Sequence, residues 1–340
     1  ERGETMEELC LDEYGLYLGK KSERLVIKKK DEIIKEIPLF KLNRILITSR
    51  GISLSTDAIE ECMKRGIQID FINYRNEPYA EIVSPFLQGT VKTRRAQLMS
   101  YKDKRGVKLA KSFVNGKAVN QTILLKYMSK YRKTRNPDLY NYICNQIEIM
   151  EGYIDEINKI DGEKIDDIRL KLMTLEAHCS KEYWKTIKEI LPDGIFKSRE
   201  TRGATDLVNC LLNYGYAILY TCVQGAIIRA GLDPFAGFLH VDRPGRASLV
   251  LDFMEEFRQQ VVDRTVFSMI NQGTSLEIEE GKLSDDTRKK LRDKIYQRLE
   301  TYVYYEIKKH RLRVVIQRQA RHIATFLRGE REYKPFIGTW

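Results

Sequence analysis

Two patterning regimes divide the chain. In the first 86 residues the apolar positions come in short groups. Tyr14, Leu16 and Leu18 alternate with polar or small neighbours, and Leu25-Val26-Ile27, Ile33-Ile34 and Ile45-Leu46-Ile47 stand between charged turns, which is the spacing of strands. One helix interrupts them: Ser55 or Thr56 can cap it, Ala58, Ile59, Cys62 and Met63 supply its apolar face, and Gly66 can end it. Ile67 to Phe71 and Tyr79 to Val83 return to strand spacing, and Pro85 and Gly89 mark the exit. Beyond Thr90 the spacing becomes i, i+3, i+4, as in Ile168, Leu172, Leu175 and Cys179. It predicts helices near 92–115, 116–132, 138–160, 164–190, 204–230, 248–271, 285–309 and 311–328, separated by glycines and prolines. The expected fold is α+β, with a small β-rich N-terminal domain (1–86), a linker (87–91) and a larger all-α domain (92–340).

Charge sharpens this division. The 340 residues carry a net charge of +11, yet residues 91–135 alone hold 14 basic side chains and one acidic one, Asp103. The remainder is close to neutral. One reading is a solvated helical face; the other, which the one-sidedness favours, is a surface for a phosphate backbone. Tyr127, Tyr131, Tyr140 and Tyr142 lie in or beside this segment, and Tyr302, Tyr304 and Tyr305 precede a second basic stretch. Such interleaving suits stacking on unpaired bases, and equally suits ordinary helix packing. No apolar run approaches the roughly 18–20 residues of a membrane span; the best candidate is Tyr216 to Val223. The six cysteines are scattered without a CxxC pair, which fits the reduced thiols of a cytoplasmic protein. P-loop, GxGxxG and GxSxG signatures are missing.

Candidate chemistry collects around few residues. His240 ends an apolar stretch and is followed by a Val-Asp-Arg-Pro-Gly-Arg turn, and Asp252, Glu255 and Glu256 begin the next helical pattern. On a helix Asp252 shares a face with both glutamates, at i+3 and i+4. Carboxylates beside a loop histidine form a mixed N/O donor set that Mg²⁺ or Mn²⁺ accepts; an acidic helix start is also what the helix dipole favours. Glu176 borders the apolar stripe of its own helix, one turn from Ser180 and two from Tyr183, a position more often at the surface.

The runs Asn209-Cys-Leu-Leu-Asn-Tyr-Gly-Tyr-Ala-Ile-Leu-Tyr220, Ala230-Gly-Leu-Asp-Pro-Phe-Ala-Gly-Phe-Leu-His240 and Arg243-Pro-Gly-Arg-Ala-Ser-Leu-Val-Leu-Asp-Phe-Met-Glu-Glu-Phe-Arg258 closely resemble the CRISPR-associated protein one family, the CRISPR adaptation integrases. So do Leu175-Glu176-Ala177 and Tyr183-Trp184, and the likeness spans essentially the whole chain. The resemblance implies a site in which Glu176, His240 and Glu255 hold Mg²⁺ or Mn²⁺, with Asp252 as a nearby carboxylate and Tyr220 and Asn213 as further active-site residues. Many members carry Asp where this chain has Glu255, and Asp252 and Glu256 stay open as sharers of that role. The implied reaction is a metal-dependent transesterification: the 3′-hydroxyl of a DNA fragment attacks a phosphodiester at a CRISPR repeat boundary, with His240 acting as a neutral ligand. Double-stranded DNA, both prespacer and repeat, is the implied substrate. Lys92, Arg94, Arg95, Lys104, Arg105, Arg132, Arg243, Arg246 and Arg258 are its candidate contacts. The resemblance further implies a homodimer through the N-terminal domains, bridged in pairs by a small dimeric partner, the second adaptation protein. Some members are fused to a reverse transcriptase or a Cas4-type nuclease, and Glu1-Arg-Gly-Glu-Thr5 before Met6 reads as the stub of such a fusion.

Overall fold

The computed structural model describes residues 7–73, 78–84 and 91–339. The chain divides into two compact units, Glu1–Gln88 and Gly89–Trp340. The expected linker, apart from Val91, and the Glu1–Thr5 stub lie outside the described residues.

Among its described residues the first unit holds eight strands: β1 (Glu7–Leu11), β2 (Leu16–Lys21), β3 (Arg24–Lys29), β4 (Glu32–Pro38), β5 (Leu42–Ile47), β6 (Ser53–Leu54), β7 (Gln68–Ile72) and β8 (Pro78–Ile82), with helix α1 (Thr56–Lys64) before β7. They form two sheets of order β4-β3-β2-β6 and β1-β5-β7-β8. In the second sheet β1, β5 and β7 run parallel, in a register that aligns Leu9 with Ile45 and Ile45 with Ile69. The β5–β7 crossover runs through α1, and the β1–β5 crossover through β2, β3 and β4. Ser55 caps α1 by accepting from the Ala58 amide at 3.2 Å. Ala58 and Cys62 on its buried face join Leu18, Leu25, Ile45 and Ile69 in one core; Val26 and Leu46 are buried as well, which is why the runs Leu25-Val26-Ile27 and Ile45-Leu46-Ile47 are continuously apolar.

The second unit is helical: α2 (Val91–Ser100), α3 (Lys104–Ser129), α4 (Arg132–Arg135), α5 (Pro137–Lys159), α6 (Ile165–Ile190), α7 (Leu207–Arg229), α8 (Ser248–Met254) and α9 (Arg264–Asn271). A hairpin of β9 (Ile278–Glu279) and β10 (Lys282–Leu283) then leads to α10 (Asp285–Leu299). A second hairpin, β11 (Tyr302–Tyr305) with β12 (Lys308–Arg311), precedes α11 (Leu312–Leu327). Three expectations are corrected. The first helix break falls at Tyr101–Asp103, where the Asp103 carboxylate caps α3 by accepting from the Arg105 amide at 2.8 Å, and Gly116 lies inside α3. The expected 285–309 helix stops at Leu299, because the alternating Tyr302-Val303-Tyr304-Tyr305 is a strand whose turn places Glu306 at φ +56°. Finally, α7 is a 23-residue helix long and apolar enough by length and composition to cross a membrane. Most of it is packed into the protein, with Leu211, Leu219 and Val223 fully buried.

Gly116 explains how the C-terminal segment closes this unit. A Cβ there would lie 2.8 Å from Pro335 and 3.1 Å from the Glu256 side chain, so only glycine lets the 333–338 segment cross α3. Asn120, one turn on and fully buried, donates to the carbonyls of Glu256 and Phe336 at 2.9 Å and accepts from the Gly338 amide at 2.8 Å. Glu256 takes the Phe336 amide at 2.8 Å and the Tyr333 hydroxyl at 2.6 Å.

Candidate active site

The loop that carries His240 is built by Asp252. This carboxylate, on α8 and fully buried, accepts the backbone amides of Phe238 (2.6 Å), Leu239 (2.9 Å) and His240 (3.0 Å). It also meets His240 Nδ1 at 2.6 Å. Four partners on two oxygens fill its lone pairs, so Asp252 positions the histidine and has no lone pair left over for a metal. With Nδ1 bonded to a carboxylate, His240 presents Nε2 as the ring atom with a lone pair, the arrangement found behind metal-bound histidines. Gly237 allows the loop to sit down on α8, since a Cβ would lie 2.6 Å from Ser248 Cβ. Gln97 on α2 fastens the other end: its amide donates to the carbonyls of Asp233 and Ala236, and its oxygen accepts from the Asp233 amide, all at 2.8 Å.

Glu176 on α6 and Glu255 at the C-cap of α8 converge on one side chain that sequence reasoning missed. The Lys117 ammonium, from α3, pairs with Glu176 Oε1 and lies 2.8 Å from Glu255 Oε2. Ser180 also donates to Glu176 at 3.0 Å, and Arg258 meets Glu255 Oε1 at 3.0 Å. Burial alone would raise the Glu255 pKa; Arg258 and Lys117 override it and bring it down to about 2. Burial disfavours the Lys117 ammonium, but Glu176 and Glu255 overcome this and hold its pKa above the usual lysine value. Glu176 and Glu255 thus meet at one cation, and Glu255 is kept ionised there, with His240 close enough to act on its charge.

Behind the pair runs a buried polar chain. The Arg258 guanidinium lies 4.6 Å from the Tyr216 ring centroid, and Tyr216 and Tyr183 both donate to Asp263 at 2.5 and 2.8 Å. Asp263 ends the π-helical turn Gln259–Asp263 that follows α8, a distortion common at functional sites. Burial raises Asp263, and the same burial, with Asp263 beside them, raises both tyrosines. Asn213 is held elsewhere: it accepts from Arg199 at 2.6 Å and donates to the carbonyls of Glu200 and Thr201 at 3.3 Å. Tyr220 is half-buried two turns further along α7, and burial raises its pKa. Among the described residues neither hydrogen-bonds to Glu176, His240 or Glu255. Glu256 instead faces the C-terminal segment, where burial lifts its pKa to about 8.

The donor set fits a divalent ion. Two carboxylates already surround a cation, and an imidazole with a fixed tautomer stands beside them, the chemistry Mg²⁺ or Mn²⁺ accepts. Among the described residues no three His, Cys, Asp or Glu side chains stand close enough to share an ion as they are, and the Lys117 ammonium stands between the two glutamates.

The family model described as CRISPR associated protein Cas1 matches residues 9–297. The chain belongs to the Cas1 family. A CRISPR-associated endonuclease Cas1 of Archaeoglobus fulgidus is 36% identical over 98% of this chain and 99% of its own length. Among solved structures, a casposase bound to integration product superposes with a TM-score of 0.77 at 24% identity, covering 97% of this chain and 93% of that one. The Cas1-family chain also superposes on a chain of a Cas6-RT-Cas1–Cas2 complex, with a TM-score of 0.75 at 19% identity, covering 98% of this chain and 36% of the longer one.

The candidate DNA contacts of this Cas1-family chain separate into two groups. Arg105 pairs with Asp103 and closes the end of α11 at the Leu327 carbonyl. Arg132 donates to the carbonyls of Met128 (2.5 Å) and Ile190 (3.2 Å). Lys104 pairs with Glu163 at 2.9 Å, and Arg258 belongs to the site itself. In contrast Lys92, Arg94 and Arg95 are exposed on α2, and Arg243 is exposed and Arg246 half-buried on the turn after His240. Much of the 91–135 charge is therefore spent on acids far away in sequence, as Lys126–Glu151 and Lys117–Glu176 show. Of the tyrosines, Tyr127, Tyr131, Tyr302 and Tyr304 are exposed, and Tyr305 is buried.

Proposed function

We propose that this chain is a metal-dependent DNA endonuclease and integrase that inserts new DNA into a CRISPR array by transesterification. The observation that carries the reading is the convergence of Glu176 and Glu255 on one cation beside a histidine whose tautomer Asp252 fixes. Glu176, Glu255 and His240 Nε2 would hold Mg²⁺ or Mn²⁺, which when bound polarises the scissile phosphate and stabilises the departing oxygen. The chain's own residues do the rest. Asp252 keeps the His240 proton on Nδ1, Arg258 and Lys117 keep Glu255 ionised, and Gln97 ties the His240 loop to α2. That tie places Lys92, Arg94 and Arg95 on a helix joined directly to the site, where a DNA backbone would lie. Arg243 and Arg246 extend the same basic surface from the other side of His240.

The nucleophile in this reading is the 3′-hydroxyl of an incoming fragment, and the target is a repeat-boundary phosphodiester. Support comes from the casposase relative bound to its integration product, and for a second adaptation protein as partner from the Cas1–Cas2 assemblies among the structural neighbours. A homodimer through the N-terminal unit completes the proposal.

The test is a strand-transfer assay with Mn²⁺, a fragment bearing a 3′-hydroxyl and a repeat-bearing plasmid, run on the wild type and on Glu176→Gln, His240→Ala and Glu255→Gln. Joined product in the wild type, lost in each variant while DNA binding persists, is the expected result. Cleavage without any joined product assigns water as the nucleophile and makes the protein a structure-selective nuclease. Variants as active as the wild type would leave the carboxylates a structural role only.

A further inference from the structure

Lys117 has an arrangement that neither the DNA surface nor ordinary stability explains. It belongs by sequence to the basic segment, yet its side chain is only 14% exposed and its ammonium sits where the two proposed metal-binding carboxylates meet. A surface lysine would reach water, and a purely structural one needs only one acid. This lysine has two acids from two different helices, α6 and α8. Among the described residues Glu255 Oε2, a buried oxygen, has no well-aligned hydrogen bond, and it meets the ammonium at 2.8 Å. That oxygen is held by charge alone, as it would be by an ion.

We propose that Lys117 is a resident counter-ion that occupies the Glu176–Glu255 pair and is displaced from it when a divalent ion binds. The inference rests on the metal reading above. The backbone of α3 cannot supply the movement, because Gly116 and Asn120 lock it against the C-terminal segment. The four-carbon stem of Lys117 can, since it swings about its own torsions. In the absence of ion the ammonium faces the buried Glu255 and the half-buried Glu176, and its departure is part of the cost of loading. Apparent metal affinity is therefore lowered by the fraction of molecules in which the lysine holds the site.

Mn²⁺ binding followed by electron paramagnetic resonance, with melting curves in EDTA and in Mn²⁺, tests this on the full chain. Lys117→Met keeps the stem and removes the charge. It is expected to melt lower in EDTA, to gain more from Mn²⁺ than the wild type, and to bind the ion at least about tenfold more tightly. Equal or weaker Mn²⁺ binding than the wild type would overturn the proposal and leave the metal reading standing. If neither protein binds Mn²⁺, the metal reading itself falls and the proposal falls with it. A second measurement needs no variant: acylation of wild-type lysines read by mass spectrometry. Labelling of Lys117 should rise when Mg²⁺ is added, and labelling that stays the same or falls is a refutation.

Discussion

Asp252→Asn isolates the positioning of His240 from the binding of metal. Asp252 Oδ2 accepts the Phe238 and Leu239 amides, and Oδ1 accepts the His240 amide and meets its Nδ1. Whichever way the new amide is turned, its NH₂ faces two donors, so two of the four bonds are broken. At about 1.5–3 kcal/mol for each hydrogen bond to a charged group, the cost is roughly 3–6 kcal/mol. With the NH₂ toward His240, the ring can recover one bond by accepting at Nδ1, which moves its proton to Nε2 and removes the lone pair offered to the ion. Urea unfolding followed by Trp184 fluorescence reads the first effect. Long-range ¹H–¹⁵N spectra of the imidazole read the second, and Mn²⁺ affinity should fall by about 10- to 100-fold, as for other partners of metal-bound histidines. A variant within about 1 kcal/mol of wild-type stability that keeps the Nδ1–H tautomer would refute the positioning role. Wild-type stability with abolished ion binding would make Asp252 a ligand.

The two groups of basic residues should respond differently to salt. Replacing Lys92, Arg94 and Arg95 with Ala should weaken DNA binding and flatten its log–log salt dependence by roughly 0.9 for each phosphate that is no longer neutralised. Arg132→Ala should leave that slope unchanged and cost about 1–3 kcal/mol of stability, because it strands the Met128 and Ile190 carbonyls; a changed slope in Arg132→Ala would reject the division. Glu256 gives a pH effect. Its folded pKa of about 8 lies above its ordinary value of 4.5, so between those values the folded state keeps a proton that the unfolded chain has released. Its contribution is fully present below pH 4.5, declines as pH rises, and is gone above about 8. Denaturation of Glu256→Gln across that window should show a flatter pH dependence, and a slope as steep as wild type would count against the assignment.

Strand spacing was readable in the first unit as alternation where one face is buried, as in β1, and as short apolar runs where both faces are, as in β5 and β7; the periods of α5, α6 and α11 were readable because one face of each helix is buried. The 302–311 hairpin was missed although Tyr302 to Tyr305 are strand-forming residues, because the flanking helices extend their spacing across it. The acidic cluster was legible as a cluster and not as three destinations. The i, i+3, i+4 rule assumes an unbroken helix, whereas α8 ends at Met254 and a π-helical turn follows. Asp252 therefore serves the His240 loop, Glu255 meets Lys117, and Glu256 faces the C-terminal segment. Glu176 came forward through the family resemblance alone. Lys117 was hidden in a charge run whose acidic partners are distant in sequence; its one local signal is the set of small and apolar residues around it, Val114, Gly116 and Ala118.

The clasp of Asn120 on the 333–338 segment also sets an order of events in the life of the chain. Asn120 joins residues 216 and 218 positions further on, so α3 emerges from the ribosome long before the segment that closes over it. Pairings of such long range form late, after the loops between them have been closed. Until then the face of α3 that bears Gly116 and Asn120 has no cover, and the Glu256 carboxyl has neither Tyr333 nor the Phe336 amide. A nascent chain thus makes its acidic helix and its histidine loop first and receives the cover of Gly116 and Asn120 last, once synthesis has passed residue 338.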